Sequence, residues 1–394
     1  MITGPLRICH AFLFFSIRFA GGTSDLMFKI CKAQEKQKHH PIVYSGDYKF
    51  DSELADKLPK TRFRILKSWF DKAGFSIMPG LAKQLHADRN QIDIVHMHVF
   101  RTFQNLILYK FCRRNNIPYV IDAHGAVPYY HRKNLIKKLF DRIWGRKMLN
   151  DAEFLIAETE VGVQEYLDID ASLNRENIAV ISPPFDTDEF ETLPTKGLFR
   201  AEHRISPDQK VIMFLGRVHH IKGNDFLIEG FAELCKKRQD CLLVIVGGDD
   251  GHMDDCKTLA EKLCITDKVK FTGFIGGADK NSALIDADIV AQMSRQEQGA
   301  WAPFEAVLCG TPIVVTDHTG AGEDVRRVDA GETVEFGNAP ALASVFNDIL
   351  DNYATGKTRT LKAKNYIETK MSMNARAQEY IDIYESAIAK RRGF

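Results

Sequence analysis

Ten short apolar runs alternate with helical patterns along these 394 residues, and few folds accommodate that alternation. In the first half the runs lie at Leu6–Phe15, Ile42–Tyr44, Ile92–Val95, Tyr119–Ile121 and Phe154–Ala157. Helical patterns fall between them, for example at Leu26–Lys36, Thr102–Arg113 and Asn134–Leu149. The second half repeats the scheme with strand-like runs at Val211–Leu215, Leu242–Val246, Val269–Phe271, Ile289–Met293 and Ile313–Thr316. A helix between successive strands returns the chain in the same direction, so the strands pair in parallel and helices cover both sheet faces. The length exceeds one ordinary core, so two domains of roughly 200 residues are expected. Ser182 to Pro207 carries four prolines and loses its periodicity, which marks a linker. The expected division is 1–195 together with a closing helix in 374–394, and 206–373. Ligand sites are expected at the carboxyl ends of the strands.

Hydrophobic content of 45% and charged content of 27% are those of a globular chain. A net charge of +1 supplies no general attraction to nucleic acid, which is not expected as a partner. The eight cysteines show no C-x-x-C spacing and sit mostly in apolar runs, as reduced thiols of a cytoplasmic protein do. Ile8 to Ile17 imitates a signal-peptide core, but Arg18 and Gly21-Gly22 follow at once, as for a first strand entering a turn. No run reaches the ~18 apolar residues of a membrane span.

The densest chemistry lies in Gln296 to Val315, QEQGAWAPFEAVLCGTPIVV. Gly299 allows a ligand close to the main chain, and Pro303 suits a first helical position. The N–H groups of Ala300, Trp301 and the residues up to Phe304 would then face an anion. Glu297 precedes this helix start and Glu305 follows it, two acceptors for the hydroxyls of a phosphorylated sugar. Earlier, Gly216-Arg217 is followed by Lys222-Gly223, where strand meets helix. A guanidinium and an ammonium five residues apart can reach one diphosphate. Gly21-Gly22 opens the first helix of the chain, where glycines permit backbone approach to a phosphate. His124, after the strand ending at Asp122, is expected to be exposed and to meet a sugar hydroxyl or a developing charge. Metal signals are weak: Asp-x-Asp recurs three times, and His96-x-His98 has no third ligand nearby in sequence. No metal is expected.

Glu297, seven residues, Glu305-Ala306 and then Gly310-Thr311-Pro312-Ile313-Val314 resemble the signature of retaining glycosyltransferases of family four, which have the GT-B fold. The pattern Gly216-Arg217, four residues, Lys222-Gly223 resembles the same family, as do Gly21-Gly22, His124, Gly320-Ala321-Gly322-Glu323, and Val269 to Phe274 where the nucleotide base is cradled. Gln298-Gly299-Ala300 departs from the family's usual Gly-Phe-Gly, and Pro183-Pro184-Phe185-Asp186 from its Asn-Gly-x-Asp. The resemblance implies two doubly wound Rossmann-like domains facing a cleft, with a C-terminal helix at Asn374–Lys390 crossing back to the first. It implies a metal-independent, retaining transfer of a hexose or N-acetylhexosamine from a nucleoside diphosphate sugar, UDP before GDP, to a glycan or lipid-linked acceptor in polysaccharide or glycoconjugate biosynthesis. His124, Arg217, Lys222 and Glu297 would be catalytic. Gly21, Gly22, Gly216, Phe274, Gly299, Ala300, Trp301 and Glu305 would join Arg217, Lys222 and Glu297 in binding the donor, with no cofactor beyond that co-substrate. Alternatives are a non-catalytic nucleotide-sugar-binding protein and a GT-B phosphorylase or epimerase. Segment 131–149 is basic and amphipathic, a candidate contact with an anionic membrane surface on the inner face of the cell membrane. The rival reading packs its apolar side on the first sheet.

Overall fold

The computed structural model describes residues 4–13, 15–17, 22–72, 75–129, 134–182 and 184–393. The chain forms two compact units, one of residues 1–184 with 373–394 and the other of residues 185–372. Each is built on a parallel sheet with helices between its strands.

In unit 1 the strands are β1 (Arg7–Phe12), β2 (His40–Gly46), β3 (Arg62–Leu66), β4 (Trp69–Lys72), β5 (Phe75–Ile77), β6 (Ile94–His98), β7 (Tyr119–Asp122), β8 (Phe154–Ala157) and β9 (Ile178–Val180). Seven of them form one sheet in the order β3-β2-β1-β6-β7-β8-β9, while β4 and β5 pair separately. β1, β6 and β7 are buried from end to end or nearly so, which is why they read as unbroken apolar runs. The helix Gly22–Lys36 and the C-terminal helix Met373–Arg392 both belong to this unit.

Unit 2 carries β10 (Lys210–Leu215), β11 (Cys241–Val246), β12 (Val269–Gly273), β13 (Ile289–Gln292), β14 (Ile313–Thr316) and β15 (Glu332–Val334), ordered β12-β11-β10-β13-β14-β15. Two core clusters flank its sheet, one with Val211, Met213, Val244 and Phe304, the other with Ile212, Leu243, Phe231 and Phe346. Successive residues of one strand serve opposite clusters, as the pleat requires. The aspartates of Asp286-x-Asp288 are anchors here. Asp286 accepts the N–H groups of Gly197 and Arg200, and Asp288 those of Val211 and the Arg200 guanidinium. Seven of the eight cysteines are buried, and Cys264 is exposed.

The segment expected as one helix, Asn134–Leu149, runs as a helix at Asn134–Phe140, a π-helical turn at Asp141–Gly145 and a helix at Arg146–Asn150. Asp141, the one acid among its cations, is buried and takes a two-pronged ion pair from Arg101, at 2.9 and 2.6 Å, with the Tyr129 hydroxyl at 2.7 Å. A Cβ on Gly145 would stand 2.5 Å from an Asp141 carboxylate oxygen, so the wide turn closes around that anchor only with glycine there. The side that is buried is therefore Asp141, Gly145, Met148 and Leu149.

Candidate functional site

The sheet of unit 2 reverses its order between β10 and β13. Loops leaving two such strands diverge to opposite faces, which opens a crevice at their carboxyl ends. The motifs singled out in the sequence follow β10 and β13.

After β10, Gly216 donates its N–H to the Val246 carbonyl at 2.9 Å. Gly247 lies so close beneath that a Cβ there would stand 1.7 Å from the Gly216 carbonyl oxygen. The chain then turns through His220–Lys222, capped by the His219 ring, which accepts the Ile221 N–H at 3.2 Å. Gly223 takes a left-handed backbone, at φ 63°, and a Cβ there would meet the Met293 carbonyl oxygen at 1.7 Å. Arg295 clamps the same turn. Its guanidinium pairs with both Asp225 oxygens at 2.8 and 2.5 Å and donates to the His220 carbonyl at 2.7 Å. Lys222 is thus fixed over the end of β13.

There it meets Glu297. Lys222 Nζ and Gln292 Nε2 each lie 2.5 Å from Glu297 Oε2, and the Ser294 hydroxyl donates to the same oxygen at 3.1 Å. Oε1 has no partner among the described residues. The Glu297 carbonyl accepts the Gly320 N–H at 2.8 Å, which ties this loop to the start of the helix Gly320–Val328.

The next helix begins at Trp301, so Pro303 is its third residue, still within the turn that needs no intrahelical N–H. The expected row of free N–H groups is corrected at its two ends. The buried Ala300 donates to Asp324 Oδ2 at 3.2 Å, and Phe304 donates to the Ala300 carbonyl at 2.9 Å. Asp324 is fully buried, and burial raises its carboxyl to about 6 against the opposing pull of Arg327 at 2.6 Å. Glu305 lies beyond the first turn, where the helix dipole no longer accounts for an acid. It is held by Lys280 Nζ at 2.6 Å. Trp301 packs its ring 5.6 Å from that of Phe185. Arg217 contacts Asp250 and is 67% exposed, and Phe274 is 63% exposed, so both are open to a ligand.

In unit 1, Gly22 opens the helix Gly22–Lys36, and Gly21 lies outside the described residues. The expectation of an exposed His124 is corrected: its side chain is 6% exposed. Its Nε2 lies 3.0 Å from His98 Nδ1, and its Nδ1 lies 3.1 Å from Asp122 Oδ1. Burial lowers its pKa, with Asp122 opposing. The pair His96-x-His98 does gain a third imidazole, from His10. Sequence reading missed Gln292, Ser294, Arg295, Lys280 and Asp324. Ser294 and Arg295 sit beside Gln296 and were within reach; Lys280 and Asp324 come from other helices, with no local signal.

The family model described as glycosyl transferases group 1 matches residues 195–369, and that described as glycosyltransferase family 4 matches residues 20–189. The chain belongs to the glycosyltransferases of family four. The D-inositol 3-phosphate glycosyltransferase of Kineococcus radiotolerans is 25% identical over 337 residues, 79% of this chain and 75% of that protein. The mannosylfructose-phosphate synthase of Agrobacterium fabrum is 31% identical over 177 residues, 43% of this chain but only 38% of that protein. The crystal structure of Anabaena HepE in complex with UDP and glucose superposes with a TM-score of 0.79, covering 97% of this chain and 100% of that one at 18% identity. That likeness is one of fold, and the fold is GT-B.

The two neighbouring glycines test how the Gly216-Arg217 loop is supported. Gly247→Ala should destabilise unit 2 by more than about 1 kcal/mol, because its Cβ meets a backbone oxygen that cannot move alone. Gly248→Ala, where a Cβ meets nothing within 4 Å, should change stability by less than about 0.5 kcal/mol. Urea unfolding midpoints of the two variants decide it, and equal midpoints would contradict the packing.

Proposed function

We propose that this chain transfers a hexose or N-acetylhexosamine unit from a nucleoside diphosphate sugar, UDP in preference to GDP, to a hydroxyl of a glycan or lipid-linked acceptor, with retention and without a metal. The acceptor class belongs to the biosynthesis of cell-surface polysaccharide or glycoconjugate. The observation that carries the reading is the meeting of Lys222 and Glu297 where the sheet order of unit 2 reverses.

The bond between the anomeric carbon and the diphosphate oxygen breaks, and a bond from that carbon to the acceptor oxygen forms on the same face. The acceptor proton passes to the leaving phosphate. Negative charge grows on the diphosphate, and Arg217 and Lys222 are the cations for it. An ammonium has three N–H donors, so Lys222 can keep Glu297 and still serve a phosphate. Glu297 Oε1 is left for a hydroxyl of the transferred sugar. Glu305, steadied by Lys280, is assigned to the ribose diol, and the exposed Phe274 ring to the base. His124 Nε2 is held by His98 and must exchange that partner before it can orient a sugar, while its Nδ1 makes no hydrogen bond among the described residues. The UDP and glucose bound by HepE, the glycosyltransferase named in one relative and the mannosylfructose phosphate named in the other support a uridine donor and a hexose.

The two glutamates separate by experiment. Glu305→Ala should weaken UDP binding by roughly 10–150-fold, the value of a charged hydrogen bond of about 1.5–3 kcal/mol. Glu297→Ala should leave UDP affinity within about threefold while reducing sugar transfer. Calorimetry with UDP alone decides it, and equal losses would contradict the division.

The basic segment is assigned to an anionic membrane surface, where a lipid-linked acceptor would be met. Leu135 is 82% and Ile136 61% exposed, and Leu139, Ile143 and Trp144 are exposed beside Lys138, Arg142, Arg146 and Lys147. That arrangement disfavours the rival in which the apolar side packs on the sheet; residues 131–133 lie outside the described range. No helix among the described residues is long and apolar enough to cross a membrane. Each cation near anionic lipid contributes about 1 kcal/mol. Lys138, Arg142 and Lys147 changed together to Glu should abolish sedimentation with phosphatidylglycerol vesicles and spare UDP binding. Wild-type protein remaining in the supernatant at low salt would point to a soluble acceptor.

A further inference from the structure

Unit 1 holds a cluster that the transfer chemistry leaves unused. His10 on β1 is the register partner of His96 on β6, and His98 lies two residues further along. Three imidazoles therefore share one face at the centre of the sheet. All are buried, at 0%, 0% and 1% exposure. Each has one ring nitrogen held by a second group. His10 Nε2 lies 3.0 Å from Gln34 Oε1, His96 Nδ1 2.8 Å from the Tyr384 hydroxyl, and His98 Nδ1 3.0 Å from His124 Nε2.

The nitrogens left over are His10 Nδ1, His98 Nε2 and His96 Nε2. The first two face each other at 2.9 Å, and the third is buried without a hydrogen-bond partner. One nitrogen from each ring lies within 4.8 Å of one from each of the others. The outer partners decide where the protons are. The Gln34 oxygen only accepts, so His10 carries its proton on Nε2 and a lone pair on Nδ1. At the other end the Asp122 carboxylate faces His124 Nδ1 at 3.1 Å. With a proton on that nitrogen, His124 Nε2 accepts from His98 Nδ1, and His98 Nε2 is left with a lone pair. With these tautomers two lone pairs point at each other, and a cation between them relieves the repulsion. With the reverse tautomer His98 donates to His10, and His96 Nε2 still has no partner among the described residues. A shared proton serves His10 and His98 and leaves His96 Nε2 orphaned. A metal ion serves all three.

We propose that His10, His96 and His98 bind a divalent transition metal, Zn²⁺ in the first instance. Three neutral imidazoles without a thiolate or carboxylate suit zinc, with water completing a tetrahedral shell. Zn–N bonds of ~2.0–2.1 Å set ligand nitrogens about 3.3 Å apart, a small rotation from the contact observed. Metal-bound histidines characteristically donate their second nitrogen to an outer group that fixes ring and tautomer, and Gln34, Tyr384 and the His124–Asp122 pair stand in those places. Gln34 lies on the helix Gly22–Lys36 and Tyr384 on the helix Met373–Arg392, so the ion ties β1 and β6 to both. Its binding energy would then be folding energy for unit 1. The inference does not rest on the proposed transfer, although His124, the outer partner of His98 here, is the residue assigned there to orient the sugar.

The test uses the full chain expressed with added Zn²⁺, desalted and analysed by plasma mass spectrometry, then stripped with chelator and titrated with Zn²⁺ against a chromophoric competitor. About one tightly held zinc per chain is expected, with a rise in Tm on reloading. His96→Gln should lose that zinc, while His86→Gln, at an exposed histidine, should retain it. Tyr384→Phe removes only the outer hydroxyl and should weaken binding by about 10–100-fold, which decides the matter if His96→Gln does not fold. Wild-type protein that neither carries nor takes up zinc would overturn the site and leave a shared proton between His10 and His98. Binding unchanged in both His96→Gln and Tyr384→Phe would overturn it too.

Discussion

The ion pair between Lys222 and Glu297 is the contact on which the functional reading of this chain depends. Three donors converge on one carboxylate oxygen, and the other oxygen is left over. The partners are 20% and 16% exposed, neither in bulk water nor fully desolvated. A pair in that position contributes modestly to stability, because the cost of leaving water offsets much of the attraction. Its consequence is geometric. It holds an ammonium with spare N–H groups next to a carboxylate with a spare lone pair, which is what an anionic phosphate and a neutral hydroxyl on one ligand require.

That geometry rests on groups that touch no ligand. Gly223 brings the Lys222 turn against the Met293 carbonyl, and Arg295 with Asp225 keeps it there. Gly247 admits the Gly216 carbonyl from below. Asp324 sits fully buried to receive the Ala300 N–H and thereby sets where the helix at Trp301 begins. A carboxylate in that place is costly without a partner, and Arg327 supplies one. The support is polar and backbone-based, so small changes of shape there act on the position of Lys222 and Glu297.

The alternation of strand and helix, and the central strands of both sheets, were legible because buried parallel strands read as apolar runs. Of the two large sheets, the strands that escaped notice, β3, β9 and β15, all lie at edges, and the separate pair β4 and β5 escaped as well. β3 alternates charge with apolar residues, and β9 and β15 are three residues long, as edges commonly are. Glu297, Lys222 and Arg217 were legible as motif residues, but their partners were not. Lys280 reaches Glu305 across 25 positions, and Asp324 reaches Ala300 across 24. His124 was misread as exposed because nothing local reveals that His98, 26 residues earlier, would take its Nε2. His10 is 86 residues from His96, so a third imidazole became visible only through strand register.

The central claim is that the Lys222 ammonium stabilises charge on a leaving diphosphate. Its most direct measurement is the rate of UDP release from a panel of UDP-hexoses in the presence of glycan acceptors, for the wild type and Lys222→Ala. The account predicts turnover lower by roughly 10²–10³-fold, as for loss of one preorganised group, with little change in the unfolding midpoint. Turnover within a few fold of wild type, by a variant shown to be folded, would contradict it.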